Sequence, residues 1–146
     1  MIVYLDSSVL ARAYLADEDG HEDASALLSD SELAAVTGTW TRIEVSGALV
    51  RAARAGRVDA EQLLGLLDAD LSPEGSVTML AVAQDEAEEL ALKLVRTHAL
   101  RAMDAWHVAV AQLTVPALTE KDEEIGFASR DAAQATVAEQ LGFKRM

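Results

Sequence analysis

Three observations predict an α/β fold, a three-layer sandwich with a central parallel sheet of four to five strands flanked by helices. Short apolar runs alternate with longer amphipathic segments along the whole chain, which is the pattern of βαβ units. The first run, Met1–Leu5, is apolar at nearly every position, as a strand covered on both faces requires. Hydrophobic residues make up 51% of the 146 and aromatics only 4%, a balance that suits a packed, Ala-rich helical protein and not a disordered one. The length fits a single domain over residues 1–146.

Taken in order, Met1–Leu5 is the first strand, and Ser7 or Ser8 is suited to cap a short helix through Leu15. Ala16–Gly20 is a polar break. Ala24, Leu27 and Leu28 make one apolar helical face. Leu33–Val36, closed by Thr37 and Gly38, reads as the second strand. Thr39–Gly56 is a helix with Ile43, Gly47 and Val50 on one face and Ala48, Leu49 and Ala52 beside it. Asp59 caps the next helix, whose Leu63, Leu64, Leu67 and Leu71 point inward. Pro73 and Gly75 interrupt, and Ser76–Val82 is the third strand. Ala83–His98 is amphipathic, with Ala87, Leu90, Ala91, Leu94 and Val95 as its buried stripe. Arg101–Leu113 is a helix with Met103, Trp106, Val110 and Leu113 on one side, ended by Pro116. Ile125–Ser129 is a fourth strand, Asp131–Leu141 the last helix, and Phe143–Arg145 a frayed edge strand after Gly142.

The composition excludes several classes. There is no cysteine, so disulfides and thiolate–metal sites are out. No apolar run reaches membrane-spanning length, and Met1 opens directly on strand-like residues, so the expected location is the cytoplasm. The formal net charge of −13 argues against a passive nucleic-acid binder, because phosphate contacts reward a basic surface. The acidic runs Asp17–Asp23, Asp85–Glu89 and Glu120–Glu124 read as solvated faces or loops.

Four other acids carry more information. Asp6 follows the first strand. Glu44 lies near the start of the helix after the second strand, Asp104 in the first turn of its own helix, and Asp131 after the fourth strand. In a parallel sheet, strand C-termini and the helix N-termini that follow them share one edge, so the four have the topology to converge. Singly, each has a plain alternative. Asp6 suits the turn that follows it, Thr41–Glu44 matches a capping box, and Asp104 and Asp131 suit N-caps. As a set they are carboxylates that repel one another unless a cation neutralises them. Oxygen-only ligands of this kind suit Mg²⁺ or Mn²⁺ together with a substrate phosphate.

At these residues the sequence resembles the PIN-domain nucleases, and among them the VapC toxins of toxin–antitoxin pairs. The matching pieces are VYLDSSVLARAYL around Asp6, TRIEVSGALVRAARAG around Glu44, LRAMDAWHVAVA around Asp104 and FASRDAAQATVAEQLGF around Asp131. Their order and spacing cover essentially the whole chain. The resemblance implies a Mg²⁺- or Mn²⁺-dependent endoribonuclease that inhibits translation, forms a homodimer and is held inactive by a VapB-like antitoxin; attack by metal-activated water with departure of the 3′ oxygen should leave a 5′-phosphate. Its RNA substrate could be a tRNA, an rRNA or an mRNA. Asp6, Glu44 and Asp104 match the three acids that define the metal site. Asp131 matches the fourth, which often acts through water, and Ser8 matches a small polar residue near the first acid. Ser129 stands where the family usually has Thr. The Glu120–Glu124 stretch is more acidic than the family's pattern, and Asp122 is a rival for the fourth acid. Asp131 is preferred because it follows an apolar run and opens a helix.

Around the acids, Ser8, Arg12, Trp40 and Arg42 are candidates to touch RNA. The arginines would meet phosphate, and Trp40 would stack on an unpaired base or, on a plainer reading, pack. His107 shares a helix face with Asp104 and reads as a hydrogen-bonded histidine near the rim. Met103 and Trp106 read as core. Arg51, Arg54 and Arg57 read as facing solvent or a partner. Two other functions compete. A phosphatase-type or phosphoacceptor hydrolase also places Asp after the first strand, but position 8 is Ser where a second Asp would be wanted. A non-catalytic PIN-fold binding module would keep the surface and not the acids.

Overall fold

Ile2–Leu5 (β1) is buried at all four positions, as the middle strand of a covered sheet must be. It pairs in parallel with Ala34–Gly38 (β2) on one side and Ile125–Ala128 (β4) on the other. Val77–Leu80 (β3) extends the sheet beyond β2, and Lys144–Arg145 (β5) extends it beyond β4, giving the order β3-β2-β1-β4-β5. This computed structural model describes residues 1–120 and 123–146. Asp122, the rival fourth acid, lies outside the described residues. Seven helices flank the sheet among those described: Ser7–Tyr14 (α1), His21–Ser29 (α2), Thr41–Arg54 (α3), Ala60–Asp70 (α4), Gln84–His98 (α5), Ala102–Leu118 (α6) and Ala132–Gln140 (α7).

Strand side chains alternate between the faces, so the five-stranded parallel sheet divides the hydrophobic residues into two cores. Ile2, Tyr4, Val36 and Phe127 pack with α5, α6 and α7. Val3, Leu5, Ala35, Val77 and Ala128 pack with α1 to α4. Tyr4 stacks on Phe127 with ring centroids 5.3 Å apart and an interplanar angle of 8°. This is the predicted three-layer sandwich.

Several local expectations are corrected. Asp6, and neither Ser7 nor Ser8, caps α1, accepting from the Ser8 and Val9 amides. The buried face of α3 is Thr41, Val45, Leu49 and Ala52, and Ile43 is 64% exposed. The apolar residues of this helix run almost continuously around it, so periodicity did not single out the inward side. Helix α6 runs on through Pro116 to Leu118. Pro116 removes one i→i−4 bond, to the Gln112 carbonyl, close to the C-terminal end, and Thr119 Oγ1 donates to the Pro116 carbonyl, satisfying one of the free terminal acceptors. The same helix is buried well beyond one stripe, at Ala105, His107–Ala111 and Val115, because it packs on α5, α7 and strands β1, β2 and β4. Met103 and Trp106 are only partly buried.

The chain leaves β1 toward β2 and β3 on one side and returns through β4 and β5 on the other. The connections that follow neighbouring strands β1 and β4 therefore lead away in opposite directions, which makes their C-terminal ends the topological switch point where open α/β sheets collect ligands. Asp6 and Ser129 follow those two strands.

Candidate active site

Asp6 is held by its neighbours before any ligand is considered. Its Oδ1 accepts from the Ser8 amide (3.0 Å), the Val9 amide (3.0 Å) and the Ser8 hydroxyl (2.7 Å). Its Oδ2 accepts from Ser129 Oγ at 3.0 Å. The side chain is buried. Burial pushes its pKa above the ordinary carboxylate value, and the hydrogen bonds from Ser8, Val9 and Ser129 and the field of His107 only partly oppose this. The turn-capping alternative for Asp6 is therefore real, yet capping does not require a buried carboxylate.

Glu44 forms no capping box. Trp40 stands at the N-cap of α3 without a side-chain cap bond, and Thr41 is buried against Thr37, their hydroxyls 2.7 Å apart. Glu44 instead turns to the sheet edge, where its Oε2 accepts from Ser7 Oγ (2.6 Å) and from His107 Nε2 (2.7 Å). Half-burial raises its pKa, but the hydrogen bonds from His107 and Ser7 outweigh that and hold it below the usual range. Ser7 thus serves Glu44, whereas Ser8 serves Asp6.

Asp104 is the third residue of α6 and caps nothing there. Arg101 spans the last two acids. Its Nε donates to Asp104 Oδ2 at 3.0 Å and its Nη2 to Asp131 Oδ2 at 2.8 Å, with 80% of the side chain exposed. The other Asp131 oxygen caps α7, accepting from the Ala133 and Gln134 amides. Those amides, Gln134 first, and Arg101 lower the Asp131 pKa.

Gln134, which sequence reasoning missed, ties the acids together. It is fully buried, its Oε1 shares the single Ser129 Oγ hydrogen with Asp6 Oδ2, and its Nε2 donates to the Asp104 carbonyl at 3.0 Å. Ser129 Oγ also accepts the Asp131 amide at 2.9 Å. Asp6, Asp104 and Asp131 are therefore joined through Ser129, Gln134 and Arg101, and Glu44 joins the rim through Ser7 and His107. The convergence is indirect. Among the described residues, no three Asp, Glu or His side chains are arranged to hold a metal ion.

The donor chemistry nevertheless fits a hard divalent cation. The candidates are all carboxylates, and Asp6 carries a desolvated charge without a cation of its own. Glu44 Oε1 and Asp104 Oδ1 accept no hydrogen bond from the described residues. Arg101 is the cation that Asp104 and Asp131 share.

The expected RNA contacts fare unevenly. Arg12 donates to the Ser8 carbonyl (2.8 Å) and the Asp19 carbonyl (3.0 Å), so it braces the end of α1. Arg42 pairs with Asp68 across α3 and α4. Arg57 is exposed and pairs with Asp17 and Glu18. Trp40 is 46% exposed and meets Trp106 edge-on with centroids 6.1 Å apart, leaving part of its ring to solvent. Ser8 donates to Asp6 and accepts the Arg130 amide. Beside Ser129 lies a cavity of about 450 Å³, walled by Val9, Leu27, Arg12 and Arg130.

The family profile described as the PIN domain matches residues 3–125. The chain belongs to the PIN domain family. PIN domains are generally metal-dependent nucleases, so the acids stand on a nuclease fold of a kind that typically uses divalent metals. The match contains Asp6, Glu44 and Asp104 and stops before Ser129 and Asp131. No curated protein matches the chain. No described helix is long and apolar enough to cross a membrane.

Proposed function

We propose that this PIN domain is a Mg²⁺- or Mn²⁺-dependent endoribonuclease and the VapC-type toxin of a toxin–antitoxin pair. The observation that carries the reading is the buried Asp6 carboxylate at the switch point, wired through Ser129, Gln134 and Arg101 to Asp104 and Asp131, with Glu44 at the same rim. Asp6, Glu44 and Asp104 would hold the ion, with Asp131 completing the set directly or through water. When bound, a divalent ion supplies positive charge for the phosphate and acidifies water at neutral pH.

The chain's own residues do the rest. Ser8 and Ser129 fix both oxygens of Asp6 in direction, and Ser7 and His107 fix Glu44. Preorganised groups of this kind need not reorient as charge develops on the phosphate. Arg101 sits at 80% exposure between two of the acids and is a base able to swing to a substrate phosphate. The exposed face of Trp40 suits an unpaired base. A basic antitoxin segment fits the acidic rim by charge, and an arginine from it would take the place Arg101 holds now. Homodimer formation and a cytoplasmic site of action belong to the same reading. The test is expression of the wild-type and Asp6→Asn proteins in parallel, with cleavage ends mapped across total RNA. The reading predicts discrete 5′-phosphate ends with wild type alone, and ends shared equally by both proteins would refute it.

A further inference from the structure

His107 is a buried polar side chain that the nuclease reading leaves without a part, and both of its ring nitrogens face protein atoms. Nε2 lies 2.7 Å from Glu44 Oε2 and 3.1 Å from Ser7 Oγ. Nδ1 lies 2.9 Å from the Tyr4 hydroxyl. A carboxylate oxygen only accepts, so the contact with Glu44 requires a hydrogen on Nε2. In a neutral ring, Nδ1 is then bare and needs a donor. Tyr4 supplies one, since its oxygen already accepts the Gly38 amide at 3.0 Å and its own hydrogen is left to point at the ring. Burial keeps the phenol from ionising, which preserves that hydrogen.

The arrangement is built at close quarters. A Cβ on Gly38 would lie 2.7 Å from the Tyr4 hydroxyl, so only glycine lets the strand end approach it. Tyr4 itself is wedged between the Phe127 ring and the imidazole, whose centroid is 5.9 Å away. Strand β1, the end of β2 and helix α6 thus fix one imidazole in one orientation and one tautomer.

We propose that His107 is a positioning residue for Glu44. Gly38 and Tyr4 set its ring in the Nε2–H form, and that N–H together with Ser7 holds Glu44 Oε2 and leaves Oε1 to face the divalent ion. The role rests on the metal-nuclease reading, but the ring geometry does not. Partners that orient a ligating side chain typically matter about tenfold to a hundredfold in metal affinity or activity.

Two substitutions separate positioning from packing. His107→Gln can place an amide N–H where Nε2 stands, and His107→Asn can reach only the position of Nδ1. Both bury an amide but Asn leaves the larger void, so a packing role predicts a lower metal-free melting temperature for Asn with no difference between the variants in the Mn²⁺ needed. The first measurement is the ¹⁵N spectrum of the His107 ring in metal-free wild type at neutral pH. A bare Nδ1 and a protonated Nε2 are expected, and a protonated Nδ1 overturns the proposal. The second is the Mn²⁺-induced rise in melting temperature, titrated for both variants beside RNA cleavage. The Asn variant is expected to need about tenfold or more Mn²⁺ and to lose kcat with little change in KM, while the Gln variant keeps most of both. Equal losses in the two variants overturn the proposal. Wild type without any Mn²⁺ shift overturns the metal reading instead, and the nitrogen spectrum still decides the relay.

Discussion

Asp6 is costly to the metal-free protein, since a buried carboxylate is charged against its environment. Its pKa is raised, so the folded state holds a proton that the unfolded chain releases. The stability this contributes is present below the ordinary Asp value and is lost as pH rises through the elevated folded value. Chelator-treated wild type should therefore lose stability across that window, and Asp6→Asn should flatten the loss and melt higher at neutral pH. Denaturant titrations at several pH values check this, and an unchanged pH profile in the variant would contradict it. Tyr4→Phe strands the Gly38 amide and His107 Nδ1 in the core, and it should cost about 1–3 kcal/mol of unfolding free energy. Asp6, Glu44 and Asp104 were legible in the sequence because their place after a strand or at a helix start is local information. Tyr4, Ser7 and Gln134 were not, because their roles are contacts with residues up to 103 positions away, as between Tyr4 and His107. Their one signal was a polar group inside an otherwise apolar or capping pattern.

Helices α3 and α6 mark where periodicity stops informing. Both are apolar around much of their circumference, so the inward side is decided by what they pack on, and Val45 went unread while Ile43 was misplaced. Strand existence and order of elements were clearer, because Gly, Pro and acidic breaks bound them. Helix α5 ends on Ala99 in the left-handed region at φ 56°, its amide bonded to the Val95 carbonyl. Glycine removes the Cβ clash there, so Ala99→Gly should stabilise the protein by about 1 kcal/mol, read from the denaturation midpoint. Asp131 has two jobs at the start of α7. Asp131→Ala should cost about 1 kcal/mol for the lost cap and free Arg101 from one of its two acids.

Across the molecule, the order β3-β2-β1-β4-β5 brings segments from both ends of the chain to one edge. That is why the site was readable only as a set of four pieces, each ambiguous alone. That edge carries four acids in a protein of net charge −13, and Arg101 is the counter-ion of two of them, Asp104 and Asp131. Removing it by Arg101→Ala should tighten Mn²⁺ binding, because the ion no longer competes with a guanidinium for Asp104 and Asp131; calorimetric titration checks the direction. The most direct test of the central claim is cleavage of a defined RNA by purified protein, with and without Mn²⁺, for wild type and Asp6→Asn. The account predicts 5′-phosphate products from wild type only, abolished by chelator and restored by Mn²⁺. Cleavage that survives chelator, or that Asp6→Asn retains in full, would contradict it.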